Sequence, residues 1–159
     1  MIIIRVIIAG SREFNDYKLL EKHCLNIFRE LKSEGFDTSK NVVEIVSGGA
    51  RGADSLGEKF ANTFGLKIKR FIPDWDNLEK QPCVVKYNKY NKPYNALAGH
   101  NRNLEMALYA KEDIELGVLI AFHNGKSTGT KNMISLAKKH SLRLYIIQFK
   151  KEVIHIRYG

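Results

Sequence analysis

Cysteine is nearly missing from this sequence: Cys24 and Cys83 are the only two among 159 residues. They cannot form a disulfide framework and lack metal-type spacing, so a reduced, cytoplasmic protein is the simple expectation. The five histidines are scattered and no pair sits at ligand spacing, which argues against a metal site. No apolar run approaches the roughly eighteen residues of a membrane span, and no membrane partner is expected. Met1 to Ile8 is apolar, but it lacks a basic leader, is broken by Arg5 and runs into Gly10-Ser11-Arg12. It reads as a buried strand rather than a signal peptide. No Gly-x-Gly-x-x-Gly follows that strand, which argues against a standard NAD or FAD site. Gly125-Lys126-Ser127-Thr128 mimics the end of a P-loop, but Ile120 stands where the first glycine would have to be, so an ATPase is rejected. No linker is visible, and the chain reads as one domain over residues 1–159.

What is present in excess is positive charge. Lysine and arginine number 26 against 17 aspartates and glutamates, a net charge of +9. That balance favours phosphorylated or polyanionic partners without choosing between nucleotide and nucleic acid. Much of the lysine is spread over helix faces, where solubility is the plain role. Hydrophobic residues make up 44% of the chain, enough for a proper core.

Apolar runs alternate with helical spacing along the chain. Strands are expected over Ile2–Ala9, Val42–Val46, Leu66–Ile72, Gly117–Phe122 and Leu142–Phe149, with a further edge strand over Val153–Tyr158. Helices are expected over Tyr17–Lys32, Ser55–Phe64, Ala96–Ala110 and Lys131–His140, the third with Leu97, Leu104, Met106 and Leu108 buried. This alternation predicts an α/β fold, a Rossmann-like, doubly wound, mainly parallel sheet with helices on both faces. In the order 3-2-1-4-5 the first strand lies between the second and fourth. The loops after those three strands then crowd one crevice at the carboxyl edge of the sheet.

Those are the loops rich in glycine, hydroxyls and arginine. Ser47-Gly48-Gly49-Ala50-Arg51-Gly52-Ala53-Asp54 joins a strand to a helix start. Its glycines admit positive φ and close approach of a ligand, and the free N–H groups of the helix make an anion site. Arg51 adds a fork of donors suited to phosphate; Asp54 has the wrong sign for phosphate and suits a sugar hydroxyl or base edge. Gly10-Ser11-Arg12 after the first strand aims Arg12 at the same crevice. Gly125, Ser127, Thr128, Gly129 and Thr130 after the fourth can hold phosphate through N–H groups and hydroxyls. Gly99-His100-Asn101-Arg102-Asn103 is too polar to serve packing alone; Arg102 suits an anion and Asn103 a sugar or base. Trp75 can stack a ring. Each has a plainer alternative: ordinary strand-to-helix turns, a first-turn carboxylate, surface arginines. From Asp76 to about Ala96 runs an extended basic loop with the near-repeat Lys86-Tyr87-Asn88-Lys89-Tyr90-Asn91-Lys92-Pro93-Tyr94. Its tyrosines and lysines suit stacked bases and phosphates, or else a solvated excursion.

Five blocks together carry a resemblance: Gly10-Ser11-Arg12-x-Phe14, Ser47 to Asp54, Pro73-Asp74-Trp75, Ala98-Gly99-x-x-Arg102-Asn103-x-x-Met106, and Gly125-Lys126-Ser127-x-Gly129-Thr130. In this order they resemble the YspA-like branch of the SLOG superfamily, which includes the DprA/SMF DNA-processing proteins and the LOG (Lonely Guy) phosphoribohydrolases. The resemblance implies a Rossmann-like fold whose glycine loops bind a nucleotide or nucleotide-derived ligand. LOG enzymes cleave the N-glycosidic bond of nucleoside monophosphates, and DprA binds single-stranded DNA. LOG enzymes follow their glycine-threonine loop with a catalytic glutamate; here Lys131-Asn132-Met133 follows. Asp54 and Arg102 remain the catalytic candidates, a carboxylate being needed to stabilise an oxocarbenium-like transition state. The expected ligand is a small-molecule nucleotide, with no required cofactor. Hydrolysis of nucleoside monophosphates and strand binding are the alternatives, and a homo-oligomer is left open.

Overall fold

The structure, a computed structural model, describes residues 1–112 and 114–150. The edge strand expected over Val153–Tyr158 lies outside the described residues. Strand β1 spans Ile3–Gly10, helix α1 Tyr17–Ser33, β2 Val42–Ser47, α2 Ala53–Thr63 and β3 Lys67–Arg70. A short hairpin follows, β4 Val85–Tyr87 and β5 Pro93–Asn95, then α3 Ala98–Lys111, β6 Leu116–His123, α4 Thr128–Lys139 and β7 Arg143–Gln148.

Five strands form one sheet in the order β3-β2-β1-β6-β7. All four pairings are parallel. This is the expected doubly wound, Rossmann-like α/β arrangement, with β6 and β7 as the fourth and fifth strands of the sheet. The near-continuous apolar run of β1 is explained by cover on both faces. Ile4, Val6 and Ile8 pack with Leu20, Cys24, Phe28 and Leu31 of α1 and Phe60 and Ala61 of α2. Ile7 and Ala9 point the other way, into Met106, Ala107 and Ala110 of α3 and Met133, Ile134 and Ala137 of α4. Each fully buried Val, Leu, Ile, Phe or Met among them stabilises the fold by about 1.5–3 kcal/mol. Phe28 and Phe60 meet edge to face at 5.6 Å, fixing α1 against α2. Asp16 caps α1 by accepting from the Leu19 N–H at 3.1 Å.

Three details differ from the sequence reading. Leu104 and Leu108 are 39% and 49% exposed, not buried. The buried face of α3 is Asn103, Met106, Ala107 and Ala110, whose small alanines let the helix approach the sheet and turn the leucines outward. Helix α4 starts at Thr128 rather than Lys131, because Ser127 caps it. The segment expected as a loop folds into the antiparallel pair β4–β5, with Val85 opposite Asn95 and Tyr87 opposite Pro93. Buried Asn95 anchors it: its N–H donates to the Trp75 carbonyl at 2.7 Å, and its Nδ2 reaches the Asn77 carbonyl at 3.3 Å.

Candidate functional site

Parallel register brings the ends of β1, β2 and β6 to one edge, and Ser11 joins the loops there. Its N–H donates to the Phe122 carbonyl at 2.9 Å, and its carbonyl accepts from Ala53 N–H at 3.2 Å. Its hydroxyl oxygen accepts from Asn124 Nδ2 at 3.2 Å. The start of α2 and the end of β6 are thereby tied to the same residue. Gly52 makes the junction close: at φ +80°, a Cβ there would lie 2.6 Å from both Cα and C of Arg12. Gly10 pairs with Phe122, and a Cβ at Gly10 would meet that residue's backbone nitrogen at 2.9 Å.

Beside this junction lies a crevice of about 530 Å³. Gly10, Ser11 and Arg12 form one part of its wall, Ala50, Arg51 and Asp54 a second, and Ser127, Thr128, Gly129 and Thr130 a third. Trp75, Arg102 and Asn103 close it from α3 and the segment before the hairpin. Twelve of the seventeen candidate residues therefore line one space. The other five do not reach its wall. Ser47 is buried with its hydroxyl donating to Glu58 Oε2 at 2.7 Å, and Glu58 is held by Arg70. Gly48, Gly49 and Gly52 shape the loop, and Gly125 turns the chain at φ +87°.

Asp54 sits in the first turn of α2 and is 5% exposed. Its Oδ2 accepts from the Ala50 N–H at 3.2 Å. Burial pushes its carboxyl up to about 6, against the opposing pull of Arg102, the Ala50 N–H and Arg12. Arg102 stands across Gly48, where a Cβ would lie 2.5 Å from its Nη1 and 2.7 Å from Asp54 Oδ2. The Arg102 guanidinium donates to the carbonyl of Gly48, to that of Phe71 at 3.5 Å, and through Nε to Asn103 Oδ1 at 3.0 Å. Burial lowers its pKa from the ordinary value, with Asp54 opposing. This arginine thus holds the β2 loop as well as facing the crevice. Asn103 is similarly committed, its Nδ2 donating to Asn132 Oδ1 at 3.0 Å and the Gly129 carbonyl at 3.3 Å. Thr130 is buried and bonded to the Ser127 hydroxyl at 2.9 Å, so it completes the cap of α4.

Arg12 and Arg51 are exposed at the rim. Among the described residues, the Thr128 and Gly129 N–H groups find no partner within the protein. Two open cations and two open N–H groups at a helix start can receive an anion. The buried carboxyl, titrating near neutrality, can accept a bond from a hydroxyl or donate one. Trp75 is 38% exposed, with Gly99 beneath its ring.

Sequence reasoning missed Glu13, Asn124, Met106 and Met133 as lining residues, and named His100 only within a polar stretch. Asn124 carried a usable signal, Asn-Gly directly after a strand. Its Oδ1 accepts from both Lys126 and Ser127 N–H at 2.9 Å and so orders the loop. Among the described residues no group of three or more His, Cys, Asp or Glu is arranged to hold a metal ion. No helix there is long and apolar enough to cross a membrane.

Fold and crevice together define a doubly wound α/β domain with a polar, cationic site at the carboxyl edge of its sheet. Residues 4–77 match the model of the YspA, cpYpsA-related SLOG family, YAcAr. Over that stretch, which carries the first three of the five blocks, the chain is similar to the YspA-like branch of the SLOG superfamily. That likeness points to nucleotide-related ligands in general and selects none of them. No curated protein and no solved structure matches the chain.

Proposed function

We infer that the crevice binds a phosphate-bearing nucleotide or nucleotide derivative, as a sensor or processing protein. The observation that carries this reading is the convergence of Arg12, Arg51 and the open N–H groups of Thr128 and Gly129 on one space. Phosphate meets these groups, the ring lies along Trp75, and the sugar hydroxyls reach Asp54. Arg102 and Asn103 act mainly by holding the loops in place. A ligand stabilises the folded state by RT ln(1 + [L]/Kd), about 2.7 kcal/mol at a hundredfold excess over Kd. For a domain of this size that raises the melting temperature by several degrees, given about 2–4 °C per kcal/mol. A thermal-shift screen of mononucleotides, dinucleotides and cyclic nucleotides is expected to return at least one such ligand. Arg51→Ala is expected to abolish the shift and leave the unliganded melting point in place. A variant that unfolds instead would make Arg51 structural and refute the reading.

A second reading has one observation in its favour: burial brings Asp54 to about 6 beside Arg102, a pair able to assist N-glycosidic cleavage. With no acid in Lys131 to Met133, fast release of base from adenosine or guanosine monophosphate is not expected. Chromatography of such mixtures decides this, and release abolished by Asp54→Asn would establish a hydrolase with a relocated carboxylate.

A further inference from the structure

The crevice leaves one feature unused, the hairpin. Directly opposed residues of an antiparallel pair share a face, so Lys86 stands beside Tyr94. Tyr94 meets Trp75 edge-on, with ring centroids 6.4 Å apart. Trp75 lines the crevice and lies against Gly99, whose Cβ position is 3.3 Å from the indole Cη2. A lysine, a tyrosine and a tryptophan therefore run in sequence from the hairpin into the crevice wall. The turn that carries them is closed by its own bonds. Asn88 N–H donates to the Lys92 carbonyl at 3.0 Å, and Asn88 Oδ1 accepts from Tyr90 N–H at 2.9 Å and Lys92 N–H at 3.0 Å. On this ordered arm Tyr87 and Tyr90 are 64% and 78% exposed. Lys92 faces Asp76 and Lys80 faces Glu105, but Lys86 and Lys89 have no carboxylate in ion-pairing range among the described residues.

Exposed aromatics on a hydrogen-bonded turn, interleaved with cations that lack a carboxylate partner, match what an unpaired strand of nucleic acid offers: bases to stack and phosphates at regular intervals. We propose that the hairpin is a binding surface for single-stranded nucleic acid, continuous through Tyr94 and Trp75 with the crevice, which seats a terminal nucleotide. The seat rests on the reading of the crevice given above; the hairpin surface does not. An anionic lipid surface would also attract lysine and tyrosine. Exposed Tyr87 and Tyr90, which offer stacking as well as charge, favour the strand.

The test measures affinity for thymidine monophosphate and for a short oligothymidylate with a terminal phosphate, across a range of salt. The oligonucleotide is expected to bind on the order of tenfold tighter or more, the yield of base stacking on one exposed aromatic. Lys86→Ala with Lys89→Ala, both exposed and outside the core, is expected to weaken the oligonucleotide alone. It should also reduce the salt slope by about 0.7 log units for each phosphate that the variant no longer neutralises. An oligonucleotide that binds no tighter than the monophosphate overturns the proposal, as does an unchanged slope in the lysine variant. Co-sedimentation with anionic phospholipid vesicles, without oligonucleotide binding, overturns it in favour of a lipid surface. Should Arg51→Ala spare the monophosphate while the lysine variant loses the oligonucleotide, the crevice reading fails and the hairpin surface stands.

Discussion

Replacing Asp54 by asparagine should make the protein more stable at neutral pH, although the side chain sits in the proposed site. The carboxyl is buried and titrates at about 6 rather than its ordinary 3.8, with burial as the main cause. A group whose folded pKa is raised gives stability that is fully present below the unfolded pKa. That stability is lost as pH rises through the folded value. Carrying the carboxyl from 3.8 to about 6 corresponds to about 3 kcal/mol, at about 1.4 kcal/mol per tenfold. Wild type should therefore weaken between pH 4 and 7 by roughly that amount relative to a variant without the charge. Asparagine keeps an oxygen for the Ala50 N–H and gives up the attraction of the carboxylate to Arg102 and Arg12. At about 2–4 °C per kcal/mol, Asp54→Asn should melt on the order of ten degrees higher at pH 8 and within a degree or two at pH 4. Differential scanning fluorimetry over that pH range, in buffers of constant ionic strength, reads both. Parallel pH profiles for wild type and variant, or a less stable variant at pH 8, would refute the reasoning. Asp54 would then be ionised at no cost, held by Arg102.

Gly52→Ala should cost at least about 1–3 kcal/mol in chemical denaturation, since φ +80° alone is strained for alanine. An unchanged midpoint would mean that the Ser11 junction yields. Gly129→Ala meets open space, so its folded stability should stay the same or rise by up to about 1 kcal/mol. Its nucleotide-induced melting shift should shrink, because the new methyl group stands beside the open N–H groups of α4; a full shift would remove that helix start from the site. Phe60→Ala, at the centre of the α1–α2 packing, should destabilise by about 3–5 kcal/mol without altering ligand affinity once temperature is lowered to keep it folded.

The sheet order was legible because it rests on alternation of long apolar runs, and β1, β2 and β6 announce themselves by β-branched residues. The convergence of the three loops followed from that order alone. The hairpin was not legible. Strands of three residues, one starting at Pro93, carry too little pattern, and what fixes them is Asn95, whose bonds reach back to Asn77 and Trp75. The burial of α3 was misread for a related reason. Leucine at helical spacing usually marks a core face, but here a tight approach to the sheet demanded alanine, and the leucines went outward. Arg102 and Asn103 line the crevice. That they also brace it through Gly48 and Asn132 depends on bonds to residues 54 and 29 positions away in the chain, which no local pattern reveals.

Ser11 has a consequence for how the site discriminates. Its carbonyl receives both Phe14 and Ala53, its amide reaches Phe122, and its hydroxyl receives Asn124. Three loops pinned to one residue cannot adjust separately, so the floor of the crevice is a template set when the sheet forms. The ordering entropy of those loops is lost during folding and not again at binding. Ligands whose anionic groups are displaced along the molecule then have no induced fit to rescue them. Changes of ring fall on Trp75, a side chain at the edge of the crevice and outside that junction. The site should be strict about where charge sits and tolerant of which base accompanies it. Amide exchange should mirror this division, with Ala53 already protected in the empty protein.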